Sequence, residues 1–291
     1  MMLFHQGLGE TCIFSRLMKA YTEKTKKPLI LIARDDSRKA LLEQCPYIYN
    51  VMTCDISFFY ELASYKEFRA ALQIKNFETL HYINFENVTT MREEICSFLG
   101  LPYDAEDSDY IVKSKFPDAL GQYFDELGLK RGKSVFLIPH ALCYGNEVVS
   151  FEFWEKLSIR LREEGYEPVF NSCEEIVPGV PYIYLPIEEV PAFAKLCGNV
   201  IGVRTGLLDV IATFTDVKIQ AVYPNELCPI WHQNQMLYKG LDISLKEKSE
   251  RAIYDMAIRR VVGRGNVFEF IHGNEEEDIQ KLIEHLDVII N

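Results

Sequence analysis

Short apolar runs without alternation recur along this chain, and stretches of helical periodicity separate them. Pro28-Leu29-Ile30-Leu31-Ile32-Ala33 is one such run, bounded by a lysine cluster and by Arg34-Asp35-Asp36. A strand buried on both faces reads this way, because neither face meets solvent. Ser134–Pro139, Val200–Val203 and Lys218–Tyr223 repeat the pattern, with helical stretches at Ser150–Glu164, Glu188–Cys197 and Leu207–Thr213. Strands alternating with helices return in parallel, so the pattern demands βαβ units and a parallel sheet.

The 291 residues exceed what one compact core usually takes and suit two domains of about 130–150 residues each. The fold class expected is α/β, with two Rossmann-like domains facing each other across a ligand cleft. In the first half, Thr11–Tyr21 carries Ile13, Leu17, Met18 and Tyr21 at helical spacing. Ser37–Cys45 reads as a helix and Ile48–Met52 as a strand. Phe58–Gln73 and Met91–Leu99 read as helices, Thr79–Phe85 as a strand, Tyr103–Asp109 as a loop, and Phe116–Leu127 as a helix closed by Gly128. A polar hinge, Lys130-Arg131-Gly132-Lys133, divides residues 1–130 from 131–291. The second half continues with strands at Glu167–Asn171 and Tyr182–Leu185, a helix at Leu245–Val261, a strand at Val267–Ile271 and a final helix at Glu275–Ile289. That last helix is a candidate to pack back on the first domain.

Net charge is −12, which argues against broad phosphate-backbone binding to nucleic acid. Lys19, Lys24, Lys26 and Lys27 form a local basic stretch, either a solvated helix end or a contact with an anionic membrane or acceptor. The eight cysteines include no C-x-x-C pair and read as reduced thiols. No signal-peptide pattern opens the chain and no run of 18 apolar residues occurs. The expectation is a cytoplasmic protein, peripheral at most to the inner face of the membrane.

Three places can carry chemistry. Gly7-Leu8-Gly9-Glu10-Thr11 puts glycines before a helix and an acid in its first turn. Glycines allow close backbone approach to a ligand, and the helix start favours negative charge. Glu10 is then either a general base or a dipole-complementing acid. The full G-x-G-x-x-G fingerprint is missing, which weakens a nicotinamide reading. At the second place, the strand Val200–Val203 runs into Arg204-Thr205-Gly206-Leu207-Leu208-Asp209. A hydroxyl, helix-opening N–H groups and a guanidinium at a strand's carboxyl end suit a diphosphate. The plainer alternative is a capped helix with Arg204 paired to a neighbouring acid. Third, His140 follows the strand Val135–Pro139, and Glu188 and Glu189 open a helix where an acid can bond a ribose or complement the dipole. Asp107-Ser108-Asp109 spells D-x-D, but no apolar strand precedes it, and the histidines lack paired ligand spacing. No bound metal and no cofactor is expected.

In this order the pieces resemble the bacterial heptosyltransferases, glycosyltransferase family 9, and their GT-B relatives. The resemblance covers about two-thirds of the chain. That family opens with Gly-x-Gly-Asp before a helix, which Gly7-Leu8-Gly9-Glu10 resembles with glutamate for aspartate. Lys27-Pro28 through Cys45-Pro46-Tyr47-Ile48 follows its layout. Its second half carries Asp-Thr-Gly-x-x-His, to which Arg204-Thr205-Gly206-Leu207-Leu208-Asp209 is similar; here Arg204 replaces the aspartate and Asp209 the histidine.

The resemblance implies an inverting, metal-independent transferase. It would move a sugar from a nucleoside-diphosphate sugar, bound by the second half, to a glycan or lipid-linked acceptor on the first, in cell-surface polysaccharide synthesis. Glu10 would be the base, beside the acceptor-side turn of Gly7, Leu8, Gly9 and Thr11. Arg204, Thr205, Gly206, Leu207, Asp209, His140 and Glu188 would form the donor side. A sugar-nucleotide epimerase, a dinucleotide oxidoreductase and a non-catalytic nucleotide- or glycan-binding protein are the competing readings.

Overall fold

The computed structural model describes residues 2–4, 7–55, 57–58, 70, 75–76, 91–141, 149–223 and 266–286. Apart from Phe58 and Ala70, the helix read at Phe58–Gln73 lies outside them, as do the strand read at Thr79–Phe85 and the helix read at Leu245–Val261. The chain divides into two compact units, Met1–Lys113 and Ser114–Asn291. No described helix is long and apolar enough to cross a membrane.

In the first unit the elements run β1 (Met2–Phe4), α1 (Leu8–Arg16), α2 (Met18–Thr25), β2 (Ile30–Ala33), α3 (Asp36–Leu42), β3 (Asn50–Thr53), β4 (Lys75–Asn76) and α4 (Met91–Leu99). The strands pair in parallel in the order β3-β2-β1-β4, with Met2 opposite Leu31 and Leu31 opposite Val51. Met2, Leu31, Ala33 and Val51 are buried, as the unbroken apolar run of β2 requires. The single helix expected over Thr11–Tyr21 is two. It begins earlier, at Leu8, and breaks at Leu17, whose N–H is shared between the carbonyls of Ile13 (3.3 Å) and Phe14 (3.1 Å). No glycine or proline marks that break. Leu17 and Met18, at the junction of the two helices, are both fully buried.

The second unit contains α5 (Pro117–Glu126), β5 (Ser134–Ile138), α6 (Phe151–Glu163), β6 (Glu167–Asn171), β7 (Tyr182–Ile183), α7 (Val190–Cys197), β8 (Gly198–Val203), α8 (Gly206–Phe214), β9 (Lys218–Tyr223), β10 (Asn266–Ile271) and α9 (Glu275–Leu286). Among the described residues its six strands are all parallel, in the order β10-β9-β8-β5-β6-β7. Numbered within the unit this is 3-2-1-4-5-6, the order of doubly wound nucleotide-binding sheets. Successive residues of β5 face opposite layers. Phe136 and Ile138 pack with α5, α7 and α8; Val135 and Leu137 pack with α6 and α9. The Phe193 ring of α7 meets Phe124 and Phe136 edge-on, with centroids 5.5 and 5.0 Å away. α6 opens at Ser150, whose hydroxyl accepts from Phe153 N (3.0 Å) and so satisfies one helix-end donor.

Two placements bear on the division read at 130/131. Helix α5 precedes that hinge, yet its buried face, Leu120 and Phe124, belongs to the core of the second unit. Among the described residues, α9 lays Ile279, Leu282, Ile283 and Leu286 against α6 in the second unit.

Candidate functional site

In the first unit, α1 leaves the carboxyl end of β1, an inner strand of the sheet. Gly7 is its N-cap, with φ −63° and ψ 174°. The Gly7 carbonyl accepts both from Thr11 N (3.1 Å) and from Thr11 Oγ1 (2.8 Å). The Thr11 hydroxyl is thus spent inside the helix, and the residue is fully buried. Gly9 is buried as well, while Gly7, Leu8 and Glu10 are half-buried. Glu10 lies in the first turn, where the helix dipole favours its negative charge. Its carboxylate folds back over Gly7: a Cβ on that glycine would lie 3.3 Å from Glu10 Cδ and 3.5 Å from Oε1.

Within electrostatic reach of Glu10 is Arg38 of α3, a residue the sequence reading missed. Asp35 caps α3 through Arg38 N (3.0 Å) and pairs with the same residue's guanidinium. Burial pulls the Arg38 pKa down; Asp35, and more weakly Glu10, oppose this by favouring its charge. The candidate base therefore lies in the field of a buried cation. The signal was available in Asp35-x-x-Arg38 directly after a strand.

In the second unit, β5 and β8 are neighbours whose connections leave towards opposite edges of the sheet. Ligands of such sheets bind outside the carboxyl ends of the strands at this switch point. His140, exposed, follows β5 there, and Arg204-Thr205-Gly206 follows β8. Thr205 is the N-cap of α8, in extended conformation (φ −149°, ψ 157°), and its hydroxyl makes no cap bond. Its carbonyl accepts from Leu208 N (3.0 Å) and from Arg204 Nη1 (2.8 Å). The N–H groups of Gly206 and Leu207, like those opening any helix, have no partner one turn earlier within it. Close packing brings α8 here: a Cβ on Gly202 would lie 2.8 Å from Ile138 Cβ and 3.3 Å from Leu208 Cδ2.

The Arg204 fork, which the sequence reading aims at a phosphate, closes on Asp209. Nη2 lies 2.9 Å from Oδ1 and Nη1 3.0 Å from Oδ2, and both residues are buried. At the end of β9, the Tyr223 hydroxyl donates to Glu269 Oε1 of β10 (2.6 Å). Burial pushes the Tyr223 pKa well up, and Arg204 and Asp209 both act on it electrostatically. The alternative in which Arg204 pairs with a nearby acid is thus the arrangement present.

Glu188 and Glu189, both buried, hold the segment that enters the second unit. Glu188 Oε1 is 2.8 Å from Lys115 Nζ; Glu189 accepts from Lys115 N (2.7 Å) and from the Ser114 hydroxyl. Asp107 of the D-x-D sequence pairs with Arg16 and Arg92, and Ser108 bonds the Arg16 carbonyl through N (2.8 Å) and Oγ (2.9 Å). Those residues fasten a loop to α1 and α4. Among the described residues, no group of three or more His, Cys, Asp or Glu is arranged to hold a metal. At the end of β10, buried Asp278 accepts from Gly273 N (2.8 Å) and lies 2.9 Å from His272 Nδ1, closing the turn into α9.

No protein-family model matches the sequence. No curated protein matches it either. Solved structures do resemble the chain. An ADP-heptose lipopolysaccharide heptosyltransferase II of E. coli matches with a TM-score of 0.60 at 12% identity, over 98% of each chain. A family 9 glycosyltransferase of Veillonella parvula matches at 0.57 and 11%, over 98% of this chain and 90% of that one. An E. coli heptosyltransferase solved with ADP matches at 0.56 and 10%, over 98% of each. At such identities the likeness is one of fold: this chain has the α/β fold of the family 9 glycosyltransferases and ADP-heptose heptosyltransferases.

Proposed function

We propose that this protein is a metal-independent, inverting glycosyltransferase. The second unit takes a nucleoside-diphosphate sugar, and the first provides the base for a glycan or lipid-linked acceptor. The reading rests on one observation above all. The start of α8, with the Thr205 hydroxyl and the N–H groups of Gly206 and Leu207, stands at the switch point of a 3-2-1-4-5-6 sheet. The fold likeness to heptosyltransferases, one of them solved with ADP, supports it.

In this mechanism Glu10 removes the proton of an acceptor hydroxyl. The oxygen attacks the anomeric carbon from the face opposite the diphosphate and forms the new glycosidic bond. The bond to the diphosphate breaks, and its electron pair leaves with the phosphate oxygen. Negative charge grows on that oxygen, and helix-opening N–H groups fixed in place stabilise it without having to reorganise. His140 stands at the rim of the donor site. Glu188, whose Oε1 is paired with Lys115, would bond the ribose. The acceptor belongs to cell-surface polysaccharide, assembled at the inner face of the membrane.

A non-catalytic nucleotide-binding protein is the second reading. Its support is that Arg204 and Glu188, two charged groups of the donor side, already hold partners within the protein.

Thermal shift against nucleoside diphosphates and their sugars, with and without magnesium, tests the donor site. A ligand that binds only the folded state raises the melting temperature. A rise with one nucleotide, equal with and without magnesium, is expected; no rise with any removes the reading. With a donor and acceptor in hand, Glu10→Gln is expected to lower transfer by roughly 10²–10⁴-fold with unchanged nucleotide affinity. Retained transfer would exclude Glu10 as base and favour another residue in that role.

A further inference from the structure

Arg204 and Asp209 carry opposite charges on the two sides of the Thr205–Gly206 turn, and both are buried. Nη1 donates to Asp209 Oδ2 (3.0 Å) and to the Thr205 carbonyl (2.8 Å), while Nη2 lies 2.9 Å from Oδ1 as an ion-pair contact. The backbone of Arg204 stays in the sheet, with its N–H on the Val222 carbonyl (2.9 Å). One side chain thus ties the end of β8 to the turn and to the first turn of α8. A buried ion pair recovers its desolvation cost only with near-ideal geometry, and apolar residues commonly fill such space at least as stably. The pair is therefore poorly explained as filler. Nor is its cation offered outward, because both terminal nitrogens face an anion inside the protein.

We propose that Arg204 and Asp209 are a positioning pair for the donor site. They hold the Thr205–Gly206 turn so that the N–H groups opening α8 and the Thr205 hydroxyl receive the diphosphate, while the Arg204 charge stays on Asp209. This rests on the nucleotide reading above. It separates two roles that one arginine could play at the same place: a direct phosphate contact, or a brace behind the groups that make the contact. Under the brace, freeing Arg204 by neutralising Asp209 harms the site; under direct contact, it leaves affinity intact or raises it. A lysine at position 204 keeps the charge but cannot span carboxylate and carbonyl with a planar fork.

Calorimetric titration of the full chain with ADP, UDP and GDP comes first, with melting curves for every protein. The best-bound nucleotide is then titrated into Asp209→Asn, Arg204→Lys and the charge-swapped Arg204→Asp/Asp209→Arg. The two single variants are expected to weaken binding at least about tenfold, the factor carried by one charge-assisted hydrogen bond. The swapped protein, in which opposite charges again bridge the turn but the bond to the Thr205 carbonyl is lost, is expected to bind more tightly than either single variant without reaching the parent. Folded Asp209→Asn or Arg204→Lys that binds as tightly as the parent overturns the proposal. If the single variants do not fold, the swapped protein decides: folded and binding supports the brace, folded and silent overturns it. A folded parent that binds no nucleotide overturns the nucleotide reading and this inference with it. A parent that binds, beside an unaffected Asp209→Asn, removes the inference alone.

Discussion

The Glu10 carboxylate lies across the α-carbon of Gly7, in the space a side chain at position 7 would take. Gly7 has ordinary extended backbone angles, so alanine there strains nothing in the main chain. The three nearest atoms in its way belong to the far end of a flexible side chain. Gly7→Ala should therefore change stability by no more than about 0.5 kcal/mol, yet push the carboxylate off its place. If Glu10 is the base, transfer falls in Gly7→Ala, and Gly7→Ala/Glu10→Gln transfers no more slowly than Glu10→Gln alone. Full transfer by the single variant would show that this orientation of Glu10 does not matter.

Gly202 is a different case, because backbone and a branched side chain stand in the way. An added Cβ would sit 2.8 Å from Ile138 Cβ and 3.1 Å from the Ile138 carbonyl oxygen, between two paired strands. Overpacking of this kind costs about 1–3 kcal/mol. Gly202→Ala is expected to lose that much in urea denaturation. It should also weaken nucleotide binding, since Leu208 of α8 is the third neighbour. An unchanged denaturation midpoint would show that the strands part more easily than this packing implies.

Glu189→Ala should expose how the second unit fastens its entering segment. The carboxylate accepts from Lys115 N and the Ser114 hydroxyl while itself buried. Removing it leaves a main-chain donor unpaired, at about 1–3 kcal/mol. Hydrogen exchange of the Lys115 amide should accelerate, and protection equal to the parent's would refute the assignment. Lys115→Ala, which removes the half-exposed partner of Glu188, should cost less than about 1 kcal/mol.

Alkaline pH should weaken the protein through Cys45. Burial raises its thiol pKa from 9.0 to about 11, against weaker hydrogen bonds from Tyr47 and Ile48. The folded state thus keeps a proton that the unfolded chain gives up. Stability is fully present below pH 9.0 and is lost as pH rises through about 11. The rise from 9.0 to about 11 corresponds to roughly 2–3 kcal/mol. Urea denaturation near about pH 8 and about pH 10.5 should show most of that loss in the parent and a smaller loss in Cys45→Ala. Equal losses in the two would dismiss this origin. Exposed Cys173 should meanwhile react with alkylating agents well before Cys45.

What the sequence revealed follows from burial on two faces. β2, β5, β8 and β9 lie inside parallel sheets, so their runs are unbroken and easily seen. β1 is just as central but spans three residues, Met2–Phe4, too few to register as a pattern. The positions of His140 and Arg204 at strand ends were legible because each follows such a run, whereas Glu10 was legible from the glycine turn that precedes its helix. The partnership of Arg204 with Asp209 was visible only as an alternative, since two opposite charges five residues apart across a turn can meet each other or meet a ligand. The grip of Glu188 and Glu189 on Ser114 and Lys115 spans more than 70 positions, and no local spacing announces it.

Helix α5 has a practical consequence for anyone dividing this gene. It reads as the close of the first half, yet its Leu120 and Phe124 lie against Phe193 and the sheet of the second unit. A fragment started at Arg131 would be born with an open apolar groove where that helix belongs, and would tend to aggregate. A fragment started at Ser114 carries its own cover, together with the two residues that Glu188 and Glu189 hold. The workable place to cut lies 17 residues upstream of the conspicuous hinge (131 − 114 = 17).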